Sequence, residues 1–128
     1  MSVLASCSII AFVATGDPAR ARDFYARVLG LRLVEDGPGA LVFDAHGTVL
    51  RITKVQSLVP ASHTVLGWTV SNIGTTVDVL AAAGVAFERF AGLDQDERGI
   101  WTSPDGAKIA WFKDPAGNTL SVTEFPAA

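Results

Sequence analysis

An α+β chain made of two βαβββ modules is predicted by a strand–helix–glycine phrase that occurs twice. Residues 10–31 run from Ile10 through Phe12 and Asp17-Pro18 to Phe24-Tyr25 and Leu29-Gly30-Leu31, an apolar strand leading into a helix that stops at Gly30. Residues 65–85 repeat it from Val65 through Gly67-Trp68 and Asn72-Ile73 to Ala83-Gly84-Val85. From Ile10 to Asp17 and from Val65 to Asn72 the separation is seven residues, so the copies are in register. Third, each copy leads into short strand-like runs broken by Gly, Pro and Asp turns.

The elements can be taken in chain order. Asp17 suits a helix N-cap and Pro18 the first helical position. Ala21, Phe24, Tyr25, Val28 and Leu29 recur at helical spacing, and Gly30 provides a left-handed stop. Strands are expected over 31–35, 40–44 and 48–55. The second helix takes Asn72 as its cap, buries Ile73, Val77, Leu80 and Ala81, and stops at Gly84. Strands are then expected over 86–90, 100–102, 107–113 and 119–125. The stretch 91–99, which carries Asp94, Asp96 and Glu97, reads either as a solvated acidic loop or as a lid. The modules span 8–55 and 63–125 of a single domain, 1–128, with a linker over 55–62.

The chain has 128 residues, 49% apolar and 18% charged, which suits one domain with a substantial core. A net charge of −3 argues against a nucleic-acid partner. No apolar run approaches the roughly 20 residues of a membrane span, and the apolar stretch 3–14 has no basic residue before it, unlike a signal peptide. The lone Cys7 fits a reducing cytoplasm and reads as a packing residue.

Strand parity sorts the side chains into two faces. Ile9, Ala11, Val13, Leu50, Ile52, Leu66, Trp68 and Val70 are expected to pack toward the helices. Ile10, Phe12, Ala14, Val49, Arg51, Thr53, Val65, Gly67, Thr69, Thr119, Ser121 and Thr123 then share the opposite faces.

This double phrase, with Asp114-Pro115-Ala116-Gly117-Asn118 before the last strand, resembles the vicinal oxygen chelate superfamily of glyoxalases, bleomycin-resistance proteins and extradiol dioxygenases. The resemblance implies the glyoxalase/bleomycin resistance fold, an open barrel-like mixed sheet with the helices outside and a cavity on its concave side. It also implies a divalent metal on four strand positions, usually His and Glu. Here those positions read Ile10, Arg51, Val65 and Ser121, which supply no such ligand set. No metal and no cofactor are therefore expected, unless His63, His46 or Glu124 builds a displaced site. Arg51 is shaped to clasp a carboxylate or phosphate; its alternative is a structural pair with Asp44, Glu35 or Glu124. The expected ligand-binding set is Phe12, Arg51, Gly67, Trp101, Trp111 and Ser121, with the tryptophans free either to stack on a flat ring or to serve as core. No catalytic residue is assigned. The expected function is small-molecule binding without metal in a cytoplasmic homodimer, with no nucleic-acid or membrane partner. The alternative is a glyoxalase-type lyase or isomerase, or a dioxygenase-like enzyme if a displaced metal site exists.

Overall fold

In the first strand, β1 (Ile10–Thr15), Val13 and Thr15 are buried while Ile10 and Phe12 are exposed, the alternation of a strand with one face on a core. Ile9 lies before the strand and is exposed, so the expected helix-facing set begins at Ala11. This computed structural model describes residues 3–127, which divide between Leu58 and Val59 into two compact units, each holding one of the expected modules.

In the first unit the Asp17 carboxylate accepts the Arg20 backbone N–H at 3.2 Å and Pro18 opens helix α1 (Pro18–Asp23). From Phe24 to Val28 the helix widens into a π-turn, closed by the Leu29 N–H on the Phe24 carbonyl at 2.9 Å. The extra residue in that turn seats Tyr25 fully inside, its ring 5.9 Å from Phe43, and leaves Val28 and Leu29 only half-buried. Strands β2 (Arg32–Asp36), β3 (Ala40–Ala45) and β4 (Thr48–Lys54) complete a sheet of order β1-β4-β3-β2, with β1 parallel to β4 and the other pairs antiparallel. Parallel pairing of the first and last strands needs a crossover, which α1 and the hairpins supply. Leu41, Phe43, Leu50 and Ile52 form the fully buried helix-side core, each contributing about 1.5–3 kcal/mol by burial.

The second unit repeats the plan. Strand β5 (Thr64–Thr69) leads to helix α2 (Ile73–Ala82), capped by the Asn72 side chain on the Thr75 N–H at 3.0 Å. The helix ends at Gly84, φ +102°, with the Val85 N–H returning to the Leu80 carbonyl at 3.0 Å. Ile73, Val77 and Leu80 are buried, whereas Ala81 is exposed, which narrows the predicted stripe. Strands β6 (Trp101–Thr102), β7 (Lys108–Lys113) and β8 (Thr119–Glu124) give the order β5-β8-β7-β6, again with only the β5–β8 pair parallel.

The strand expected over 86–90 does not form. It is reduced to a bridge between Phe87 and Phe112 and one bond from the Glu88 N–H to the Trp111 carbonyl. Two of its backbone groups are taken by the loop: Gln95 accepts the Phe90 N–H at 2.8 Å and donates to the Glu88 carbonyl, and also to that of Gly99. Asp96 accepts the N–H groups of Arg98 and Ile100, and Arg98 clasps Asp78 of α2 at 2.8 and 3.1 Å. The 91–99 loop is thus tied to its own unit at several points.

Candidate functional site

In each unit one sheet face packs on a helix and the other, the open face, carries no helix; these faces hold the expected ligand-binding residues. In the first unit Arg51 sits on β4, an inner strand, with Phe12 of β1 and Val42 of β3 as its register partners on either side. Phe12 is 59% exposed and Arg51 half-buried. The guanidinium has no ion pair or hydrogen bond among the described residues. Its proposed structural partners are engaged elsewhere or do not reach it. Asp44 holds Arg32 at 3.4 Å, Glu124 accepts the Ile73 N–H at 2.9 Å, and Glu35 makes no ion pair with it. Nearby, Asp36 accepts from Lys54 at 2.8 Å and Arg22 at 3.0 Å, and the Lys54 hydrogen bond leads the effects that hold its carboxyl below the usual range. Those pairs occupy Lys54 and Arg22 and leave Arg51 as a half-buried cation flanked by Phe12 and Val42, a geometry suited to an oxyanion.

In the second unit Gly67 of β5, Ser121 of β8 and Trp111 of β7 form one cross-strand row. A side chain at Gly67 would put its Cβ 2.7 Å from Ser121 Oγ, so glycine is what leaves the hydroxyl its room. Trp101 pairs with Ile109, two residues before Trp111, so both indoles lie on the open face, 6.1 Å apart and tilted by 35°. Phe90 stands perpendicular to Trp111 at 5.3 Å. Sequence reading missed Phe90, whose only signal was an aromatic side chain at the mouth of an acidic loop. Trp68, expected in the core, is half-buried.

The four positions at which the resemblance implies a metal carry two aliphatic chains, a guanidinium and a hydroxyl, and this donor set does not fit a divalent cation. Val65 is also displaced by a bulge: Thr64 pairs with Thr119 and Leu66 with Leu120. The residues considered for a displaced site are apart in role. His46 is a turn residue at φ +52°, His63 is exposed in a bend before β5, and Glu124 caps α2. Among the described residues no three His, Cys, Asp or Glu side chains stand together as a metal-binding group.

A polar cavity of about 420 Å³ lies on the helix side of the second unit, lined by Asn72, Asp96, Arg98, Lys108 and Glu124 among others. No sequence signal announced it. Its charges are largely satisfied internally, Glu124 by the Ile73 N–H and Arg98 by Asp78, whose hydrogen bond holds the Asp78 carboxyl below its usual range.

No helix among the described residues is long and apolar enough to cross a membrane. The fold is similar to that of solved structures. Lactoylglutathione lyase from Agrobacterium tumefaciens aligns with a TM-score of 0.72 at 20% identity, over 94% of this chain and 95% of that one. TnmS3, an antibiotic binding protein from Streptomyces sp. CB03234, aligns with a TM-score of 0.71 at 23% identity, over 94% and 98%. TioX from Micromonospora sp. ML1 gives a TM-score of 0.71 at 19% identity, over 94% and 100%. No curated protein sequence matches the chain. The family profile matches residues 7–122, and with the two βαβββ units behind it the chain belongs to the Glyoxalase/Bleomycin resistance protein/Dioxygenase superfamily.

Proposed function

We propose that this protein binds a small organic anion without a metal ion, with Arg51 as the anchor and Phe12 beside it. The observation that carries the reading is the unpaired guanidinium of Arg51, half-buried on an open sheet face between Phe12 and Val42. A guanidinium offers paired donors to a carboxylate or phosphate, and apolar neighbours strengthen that contact by lowering the local dielectric. Superfamily membership supports small-molecule recognition, and one structural neighbour is named as an antibiotic binding protein. Ile10, Val65 and Ser121 offer no acid–base pair to replace the missing metal chemistry, which favours a binder over a lyase.

Calorimetric titration with benzoate and phenyl phosphate, against neutral benzamide, tests the anchor. Arg51→Ala should weaken both anions by at least about tenfold, the loss of a charge-assisted pair, and leave benzamide unchanged. Equal affinities for wild type and variant would remove Arg51 from the site. Incubation with Mn²⁺, Fe²⁺, Ni²⁺ and Zn²⁺, desalting and mass spectrometry should find no stoichiometric metal. Stoichiometric retention, or turnover of the methylglyoxal–glutathione adduct, would replace the binder by an enzyme.

A homodimer in the cytoplasm completes the proposal. Exposed Ile9, Ile10, Val34 and Val49 support association, and the free, exposed thiol of Cys7 suits a reducing compartment. Analytical ultracentrifugation showing a monomer at micromolar concentration would retire the dimer, and cell fractionation tests the location.

A further inference from the structure

We infer that the open face of the second unit is a shelf for a planar, conjugated molecule of two or three fused rings carrying a hydrogen-bonding oxygen or nitrogen on its edge. This deepens the ligand-binding reading above and rests on it, but it uses no residue of the first unit.

Three features of the row Trp111–Ser121–Gly67 support the inference. The first is the hydroxyl. Ser121 is only 8% exposed, and its side chain has no hydrogen-bond partner among the described residues. No side-chain oxygen or nitrogen among those residues is both sealed from solvent and unpartnered, so Ser121 Oγ opens onto the face. A mostly buried hydroxyl that keeps some access and has no partner is ready to bond a polar edge atom. The second feature is Gly67. Any side chain there would begin 2.7 Å from Ser121 Oγ, so the floor stays flat only with glycine. The third is the aromatic group. Trp111 is half-buried, flanked by Trp101 at 6.1 Å and by Phe90, perpendicular to it at 5.3 Å.

The size of the ligand is set by strand spacing. Neighbouring strands stand about 4.8 Å apart, so the row from Trp111 to Gly67 is about 10 Å across. That matches two or three fused six-membered rings with their van der Waals margins, and exceeds a single ring. Thr119 and Thr123, which flank Ser121 along β8, add no charge. The recognised part is therefore neutral, in contrast to the anion that Arg51 would take.

Acridone is the probe, followed by its own emission anisotropy. It is flat, three-ringed and neutral, with a carbonyl and an N–H on its edges. Benzamide controls for ring number, and 1-adamantanecarboxamide for bulk without planarity. Wild-type protein should bind acridone at least about tenfold more tightly than either control. Trp111→Leu should weaken acridone about tenfold, the order expected when stacking is lost, while Trp111→Phe keeps most of the affinity. Ser121→Ala should weaken it several-fold, and Gly67→Ala at least as much. Arg51→Ala should leave acridone within twofold, so failure of the shelf and failure of the anion site are read separately. No saturable acridone binding, equal binding of 1-adamantanecarboxamide, or unchanged affinity in natively folded Trp111→Leu and Ser121→Ala would overturn the inference.

Discussion

Replacing Asp114 by Ala strips the turn between β7 and β8 of the acceptor that organises it. One carboxylate oxygen accepts the Ala116 N–H at 3.0 Å and the Asn118 N–H at 2.9 Å, and the other accepts the Asn118 side-chain amide at 2.8 Å. Asp114 and Asn118 are buried, whereas Ala116 is half-buried. Water can reach the Ala116 N–H in the variant, so its loss costs little. Both Asn118 donors lose their Asp114 acceptor in the interior, at about 1–3 kcal/mol each. The sum is about 3–4 kcal/mol after allowing for partial relaxation, and in a chain of this length each kcal/mol moves Tm by roughly 3–5 °C. Urea denaturation should therefore show Asp114→Ala destabilised by about 3–4 kcal/mol, and thermal melting a Tm lower by roughly 9–20 °C. Asp114→Asn keeps one carbonyl oxygen for the two backbone donors and should lose less than half as much. The shelf should feel the change too, because this turn sets Trp111 opposite Ser121. If Asp114→Ala unfolds within 1 kcal/mol of wild type, the turn is held by its backbone bonds alone and the argument from buried acceptors fails.

Gly117→Ala should cost about 1–2 kcal/mol, since the residue sits at φ +90° and a Cβ there meets Pro60 Cγ at 3.0 Å; chemical denaturation measures it. Glu124→Ala removes the acceptor of the Ile73 N–H and should lower stability by about 1 kcal/mol, with Glu124→Gln restoring most of it in the same assay. The pairs of Asp36 with Lys54 and Arg22 lower its folded pKa below the ordinary carboxylate value of about 3.9. A depressed pKa contributes stability that is fully present above the unfolded value and is lost as pH falls through the folded one. The stability gap between wild type and Asp36→Asn should therefore stay constant near neutrality and close as pH drops below about 4 in a urea–pH series.

The helix-facing half of the fold was legible because burial constrains it. Val13, Leu50 and Ile52 are buried as the strand period requires, and Asp17 and Asn72 cap the helices as their types require, while Leu66, Trp68 and Val70 are only half-buried. The π-turn at Phe24–Val28 was not legible, because one extra residue in a turn leaves no mark in local spacing; it shows only in the structure, where Tyr25 is buried beside Phe43. The strand expected over 86–90 was misread for a similar reason. Its apolar run suits a strand, but the Gln95 side chain, five residues beyond Phe90, claims the backbone groups a ladder would use. On the open faces parity grouped Phe12 with Arg51 and Gly67 with Ser121, which are register partners, whereas the place of Trp111 in the second row came only from the β7–β8 register. Which molecule those faces take was never in the pattern, because open-face chemistry answers to a ligand rather than to packing.

The two units nonetheless share one logic on those faces. In each, the strand that pairs with the first strand of its unit is an inner one, β4 or β8, and it carries the polar group: Arg51 in one, Ser121 in the other. Arg51 is half-buried and Ser121 buried, although both point away from the helix. The flanking positions then decide what can approach. Beside Arg51 stand Phe12 on β1 and Val42 on β3; beside Ser121 stand Gly67 on β5 and Trp111 on β7. The bulky ring has changed sides between the repeats, and the remaining flank has gone from valine to glycine. A charged anchor with apolar flanks selects by charge, whereas a neutral hydroxyl with a flat floor and a single aromatic wall selects by shape. The proposed anion anchor and the proposed shelf therefore differ in chemistry within one βαβββ plan, and single substitutions at the flanks, Phe12 and Trp111, should alter the two selectivities separately.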